Sequence, residues 1–259
     1  MRVILMKDLT TKHRFNFSTF LANIMSALPY FFEPSIEASS SHFALSELTS
    51  KHCIQVLRMR AGESLHLTDG VGNLYTASIV EPDKKNTVVK IDSVEHTPRP
   101  QKNVCIAIGL LKNNGRFEWF LEKATEMSVT KIVPLICERS ERSNLKQERM
   151  QGVLIAALIQ SKQTWLPILT EPLSVAAFIK EHPSAQKLIA HCEEGNKTEL
   201  KDISNSNDTS ILIGPEGDFT PSEIETALSA NYLPVSLGAT RLRTETAGMV
   251  AAALLIYKN

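Results

Sequence analysis

The stretch that decides the fold is Ile211-Leu212-Ile213-Gly214-Pro215-Glu216-Gly217-Asp218-Phe219-Thr220-Pro221-Ser222-Glu223. Its first three residues are apolar and mostly β-branched, the mark of a short buried strand. Gly214, Pro215 and Gly217 end that strand and bring backbone without bulky side chains to the surface. Thr220 offers an N-cap oxygen, Pro221 suits the first helical position, and Glu223 completes a capping box. The segment reads as strand, glycine-bounded turn, helix. In an open α/β sheet, ligands bind at such turns, beyond the carboxyl ends of the strands.

A second segment repeats the pattern. Val235-Ser236-Leu237-Gly238-Ala239-Thr240-Arg241-Leu242-Arg243-Thr244-Glu245-Thr246-Ala247 is again strand, glycine, polar loop, helix. The helix expected over residues 247–257 is apolar nearly all round, through Met249, Val250, Leu254, Leu255 and Ile256. A helix with no polar face is buried, in a core or against another subunit.

Working outward, strands and helices alternate. Residues 104–108, 132–136 and 187–191 read as strands. Phe117, Phe120, Leu121 and Ala124 follow helical spacing, and residues 150–160 form another helix. This alternation predicts an α/β domain with a mostly parallel sheet. Residues 202–210 are polar and read as a surface loop. Upstream, residues 64–68 and 74–80 alternate apolar and polar around Asp69-Gly70-Val71-Gly72-Asn73, a hairpin signal, and residues 87–91 form a further strand. Several short strands suggest a small barrel. Thr97-Pro98-Arg99-Pro100 is a stiff linker, which divides the chain into an N-terminal β domain over 29–97 and a C-terminal α/β domain over 98–259.

Composition narrows the classes. Lys plus Arg and Asp plus Glu both total 28, so no global basic field marks a nucleic-acid binder, and RNA contact would need local patches. No apolar run reaches the length of a membrane span. Cys53, Cys105, Cys137 and Cys192 are widely spaced, with no metal-binding pattern and no disulfide framework. They predict a cytoplasmic protein without a metal, and Cys105, Cys137 and Cys192 read as small buried residues. Residues 1–28 carry 4 basic and 1 acidic residues before a polar-interrupted apolar run, a weak imitation of a signal peptide. A disordered extension, or an upstream start ahead of an initiator at Met25, is the plainer reading.

The two glycine-bounded loops together resemble the SPOUT family of knotted methyltransferases. Within it they are similar to the bacterial small-subunit ribosomal RNA (uridine N3) methyltransferases. The run 116–126, the run 137–143 and Val56-Leu57-Arg58 add to the likeness, which spans residues 29–259. The resemblance implies a trefoil-knotted α/β domain behind a PUA-like, RNA-binding barrel. It further implies a homodimer, S-adenosyl-L-methionine as cofactor, and small-subunit ribosomal RNA, free or assembled, as partner.

For the cofactor, three strand ends could converge: His191, Cys192 and Glu193; Gly214, Pro215, Glu216 and Gly217; and Leu237, Gly238, Leu242, Thr244, Thr246 and Ala247. The alternative is that the glycines only serve turns. For catalysis, Arg243 could stabilise an anionic uracil, and Glu245 or Glu216 could accept its N3 proton. Their structural rivals are an Arg243–Glu245 ion pair, Glu216 holding the loop backbone, and Thr244 capping the final helix. RNA contact falls to Arg58, Arg60, Arg116, Arg139 and Arg142, with Lys146 and Arg149 nearby. Glu138, Glu141 and Glu148 interleave with the last group, so a salt-bridged face is the rival.

One departure stands out. Ile159-Gln160-Ser161-Lys162-Gln163 lacks the Glu and the Arg of the family's Glu-Gln-x-x-Arg pattern. Two other readings therefore stay open: a SPOUT methyltransferase acting on another RNA or on a ribose hydroxyl, and a non-catalytic RNA-binding assembly factor.

Overall fold

The computed structural model describes residues 28–141, 143–204 and 206–258. The expectations for residues 1–27 and for Arg142 lie outside the described residues.

The N-terminal half is built from β1 (Tyr30–Phe32), β2 (His42–Ala44), α1 (Glu47–Lys51), β3 (Ser64–Thr68), β4 (Asn73–Glu81) and β5 (Val88–His96). They form a five-stranded sheet in the order β1-β3-β4-β5-β2, antiparallel except for the β1–β3 pair. Alternate residues Leu65, Leu67, Tyr75, Ala77, Ile79 and Val89 fill its core. The β3–β4 hairpin turns where glycine spacing predicts. Asp69 organises the turn by accepting from the Val71 N–H at 2.8 Å and the Tyr75 hydroxyl at 3.2 Å. Burial and the Asp69 charge push the Tyr75 phenol up to about 12.

The C-terminal half follows as β6 (Asn103–Gly109), α2 (Asn114–Glu126), β7 (Lys131–Ile136), α3 (Gln147–Gln160), β8 (Ile168–Leu169), β9 (Leu173–Ser174), α4 (Val175–Glu181), β10 (Gln186–Ala190), β11 (Thr198–Glu199), β12 (Asp208–Ile213), α5 (Pro221–Ser229), β13 (Leu233–Ser236) and α6 (Thr244–Tyr257). Its eight strands run β11-β13-β10-β12-β6-β7-β8, with β9 also on β7, and every pair is parallel. The central strands are buried on both faces, as parallel sheets require. Val104, Ile106 and Ile108 of β6 face the core shared with Phe117, Phe120, Leu154 and Ala251. Cys105 and Ala107 face the other core, with Phe178, Phe219 and Tyr232. Pro134 has no N–H to give a ladder. It falls between the β8 pairing at Ile132 and the β9 pairing at Leu135, where the outer ladder of β7 is interrupted.

Two expectations are corrected. The polar stretch 202–210 does not stay a loop: Asp208 already starts β12, and Thr209 and Ser210 are buried because β6 and β10 flank them. The final helix begins at Thr244, three residues early, with Arg243 as the N-cap residue and no side-chain cap, so Thr244 does not cap it.

The segment 163–166 joins the two halves. Leu166 donates its N–H to the Gly70 carbonyl at 2.9 Å, and the Gly72 N–H donates to the Thr164 carbonyl at 2.8 Å. The Trp165 indole donates to the Thr97 carbonyl at 2.9 Å, and the Tyr30 hydroxyl donates to the Gln163 carbonyl at 2.9 Å. Gln163 also caps α2, donating to the Thr125 and Glu126 carbonyls at 2.9 Å each. The altered motif at residues 159–163 therefore holds a helix end and a domain junction.

Where α6 crosses α2, Gly248 is required by close approach. A Cβ there would lie 2.6 Å from Phe120 Cε2. An exposed helical Gly→Ala change gains about 1 kcal/mol, whereas overpacking costs about 1–3 kcal/mol. Gly248→Ala is expected to lower the urea midpoint, while Gly152→Ala on α3, with open space around it, raises it. Equal shifts of the two variants in one direction would contradict the packing argument.

Candidate active site

Three loops leave the carboxyl ends of β10, β12 and β13 side by side. Asp218 ties two of them together. One carboxylate oxygen accepts from the Cys192 N–H at 2.7 Å, and the other accepts from the Phe219 N–H at 2.9 Å. Asp218 sits at φ +61, a left-handed conformation that Asp tolerates better than most residues. Gly214 is needed beside it, because a Cβ would stand 2.8 Å from Asp218 Oδ1. Gly109 admits the same loop from below, since a Cβ would reach the Pro215 nitrogen at 2.5 Å. The capping box forms as expected: Thr220 and Glu223 exchange their hydrogen bonds, and Pro221 opens α5. Glu223 also accepts from the Glu138 N–H at 3.0 Å, so one carboxylate fixes α5 and the loop after β7. Glu216 is exposed. The residue that holds the loop backbone is Asp218, whose partner lies 26 residues away.

Between the loops lies a cavity of about 660 Å³. His191, Cys192, Gly214, Pro215 and Glu216 line it from two loops, and Leu237, Gly238, Leu242, Thr244 and Ala247 line it from the third. Glu193 and Gly217 do not line it, and Thr246 lines the neighbouring cavity instead. Gly217 packs under Arg139, whose Cβ would lie 3.1 Å from an added Cβ. Lys197, Ser236 and Asp218 join the lining from outside the predicted set, and Arg241 from within the predicted loop 237–242. Lys197 was legible only as a lone charge; it donates to the His191 carbonyl at 2.7 Å. Gly238, at φ +126, takes a backbone conformation that other residues avoid. Burial and then the Lys197 charge lower the His191 pKa, and its buried Nδ1 has no hydrogen-bond partner among the described residues. Cys192 is exposed, against the expectation of a buried thiol, because β10 ends at Ala190 and the chain turns outward.

A second cavity of about 440 Å³ adjoins the first. Asn113, Gly115, Arg116, Trp119, Glu245 and Thr246 line it, and Arg243 lines both. Glu245 is only 7% exposed. Its Oε1 faces the Arg116 Nε at 3.7 Å, and its Oε2 has no hydrogen-bond partner among the described residues. The Arg243–Glu245 ion pair, the structural rival to catalytic roles for these residues, is not the pair that forms: Glu245 faces Arg116.

The basic residues divide. Arg58 and Arg60 are exposed on the N-terminal half and line neither cavity. The Arg139 guanidinium donates to the Gly217 and Phe219 carbonyls at 3.3 and 3.2 Å, bracing the loop. Arg149 holds Glu118 in a two-pronged pair at 2.7 and 3.0 Å, and Lys112 pairs with Glu141 at 2.7 Å. That surface carries the salt-bridged character of the rival reading. No cluster of His, Cys, Asp or Glu among the described residues could hold a metal ion.

Comparison with known proteins decides the family. Residues 97–256 match the model of an RNA methyltransferase domain, and residues 49–92 match an RNA methyltransferase PUA domain. This chain belongs to the ribosomal RNA small subunit methyltransferase E family. It is similar to the family member of Synechocystis sp., at 31% identity over 210 residues, covering 78% of this chain and 69% of the relative. A probable rRNA-methyltransferase from Porphyromonas gingivalis superimposes with a TM-score of 0.81 at 40% identity, covering 87% of this chain and 95% of that one. The Neisseria gonorrhoeae ribosomal RNA small subunit methyltransferase E, solved bound to S-adenosyl methionine, gives 0.79 at 29% identity over 88% and 96%. The mostly parallel α/β domain with a PUA domain before it is the architecture of this family.

Burial first, and then the Asp218 charge, raise the Cys192 thiol pKa. A raised pKa leaves less thiolate near neutrality, and the thiolate is the nucleophile. Iodoacetamide labelling of Cys192, followed by mass spectrometry across pH, is expected to reach half its maximal rate above the ordinary thiol value. Asp218→Asn should move that midpoint down. A wild-type midpoint at or below the ordinary value would contradict the assignment.

Proposed function

We propose that this protein transfers a methyl group from S-adenosylmethionine to N3 of a uridine in small-subunit ribosomal RNA. Family membership carries the reaction class, an S-adenosylmethionine-dependent ribosomal RNA methyltransferase. The observation that carries the site is the meeting of two cavities at Arg243.

The residues of the larger cavity suit the cofactor. Its volume falls in the range of about 300–1,000 Å³ usual for ligand sites. Leu237, Leu242 and Ala247 offer apolar contact to a purine face, and the backbone around Gly214 and Gly238 can reach its polar edges. His191 Nδ1, buried and without a partner among the described residues, is a polar atom suited to a ligand hydroxyl. When bound, S-adenosylmethionine supplies an electrophilic methyl group carried on a positive sulfonium.

Methyl transfer to a nitrogen needs alignment and removal of the N3 proton. Glu245 is the favoured proton acceptor: its Oε2 has no competing donor, and it lines the cavity next to the cofactor site. Arg243 steadies the negative charge that spreads over the uracil oxygens as the proton leaves. The Arg116 guanidinium faces Glu245 Oε1 at 3.7 Å and leaves Oε2 turned to the ligand. Glu216, exposed at the loop edge, is the second candidate acceptor. Arg58 and Arg60 are assigned to backbone contact with RNA, and the boundary between the RNA-binding and catalytic domains is set at residues 97–98. In the altered segment 159–163, Gln163 is engaged in the helix cap and the junction.

We also read the protein as a cytoplasmic homodimer. Among the described residues, no helix is long and apolar enough to cross a membrane. Met249, Val250 and Ala253 of α6 are apolar yet only half-buried in the single chain, a face suited to a second copy.

The test uses small ribosomal subunits from a strain lacking this gene, labelled S-adenosylmethionine and nucleoside mass spectrometry. N3-methyluridine is the expected product. Arg243→Ala should lower turnover by about 100-fold or more, of the order seen when a transition-state donor is removed, with circular dichroism unchanged. A ribose-methylated product, or near-normal turnover of the variant, would overturn the assignment.

A further inference from the structure

We propose that the smaller cavity is the pocket for the target base, with Trp119 as its stacking platform and Arg116, Glu245 and Arg243 reading the uracil edge. This inference rests on the reaction proposed above and names how that site selects its substrate.

Several large apolar side chains are exposed, and among them Trp119 lines the cavity at Arg243. Its neighbours on α2, Phe117 and Phe120, are 1% and 0% exposed and supply the core contact of the helix. Trp119 is 42% exposed on the same helix, so the core does not hold it. It lines the cavity that also contains Arg243 and the buried Glu245. A base buried in a duplex or a folded RNA must leave its stack before an enzyme can reach its ring nitrogen, and a flipped base is held by stacking and by hydrogen bonds to its pairing edge. An exposed indole beside the reacting groups supplies the stack.

The polar groups match one base. The pairing edge of uracil presents acceptor, donor, acceptor: O2, N3–H and O4. Arg116 and Arg243 are donors only, and a carboxylate at Glu245 is an acceptor only. Glu245 lies against Arg116, and Arg243 lines the same cavity; set along one base edge, two guanidinium groups and a carboxylate present donor, acceptor, donor, the complement of that edge. Cytosine presents an N3 lone pair and an exocyclic amine there, which would set a lone pair against the carboxylate and a donor against an arginine. The pocket thus rejects cytosine by unpaired groups, which discriminates strongly in a buried site. The same contact that reads N3–H removes its proton, so selection and chemistry share Glu245.

Trp119 acts as a positioning residue, and its test separates it from structure and from the reaction itself. In the assay with unmethylated small subunits, Trp119→Ala is expected to lower kcat/KM about 10- to 100-fold, the range of one base–aromatic stack. Affinity for S-adenosylmethionine by calorimetry should stay within twofold, and Trp119→Phe should recover most of the loss. A short oligouridylate added to the cofactor-saturated wild-type protein should quench tryptophan emission, and the quench should vanish in Trp119→Phe, which keeps Trp165. Retention of activity within threefold by Trp119→Ala, equal loss in the Ala and Phe variants, or a quench that survives Trp119→Phe would each overturn the proposal. A wild-type protein that yields no N3-methyluridine overturns the proposed reaction instead, and the emission experiment then still decides whether Trp119 stacks on a base.

Discussion

The carboxylate of Asp218 is the interaction on which the site depends. Loops at the ends of parallel strands share no ladder, so something must fix them against one another. Asp218 does this with two short bonds to backbone N–H groups, one on its own loop and one on the loop after β10. Charge-assisted bonds of this kind are about twice as strong as neutral ones. They also demand room, and Gly214 and Gly109 provide it at both flanks of the loop. Arg139 then braces the same loop from outside through two carbonyls. The glycine pattern is thus explained by close approach of backbone and carboxylate, with the cavity as its result.

How much of this was legible in the sequence depended on the range of the signal. The capping box at Thr220 and Glu223 is local, and it reads directly from residues three apart. The apolar strands β6, β7 and β12 read from composition alone because both of their faces are buried. The start of α6 did not: Thr244 offered a capping side chain, yet the helix begins at Thr244 itself and Arg243 takes the N-cap position without a side-chain cap. Thr209 and Ser210 look like loop residues, yet the neighbouring strands claim their backbone and bury them. The two-residue strands β8, β9 and β11 exist only through their partners. Asp218 could be seen in the sequence, but its role could not, because its partner Cys192 is fixed by topology.

The segment at residues 159–163 teaches a related lesson about motifs. Its departure from the family pattern suggested altered chemistry. Its position gives it a different task. The Gln163 side chain satisfies carbonyls at the end of α2 that would otherwise lack donors. Its backbone carbonyl receives the Tyr30 hydroxyl from the other half of the chain. Trp165, two residues on, packs where Gly72 leaves space: a Cβ on Gly72 would lie 2.6 Å from the indole. The hairpin glycine and the tryptophan are therefore coupled, and the N-terminal half is held at a set angle to the α/β half.

The free-energy balance at Glu245 points to where chemistry happens. A buried polar atom without a partner costs about 1–3 kcal/mol, and more when it is charged. Glu245 carries such an atom while its other oxygen has only a long contact to Arg116. Were the pair there for stability alone, apolar residues of similar size would serve as well or better. The geometry makes sense once the free oxygen is assigned a ligand group of opposite character, a proton donor arriving through the cavity that Trp119 borders. Arg243, shared between that cavity and the loop cavity, then sits where charge on such a ligand would change during reaction. Stability lost at Glu245 is in this view the structural trace of a site shaped for a partner that the chain alone does not contain.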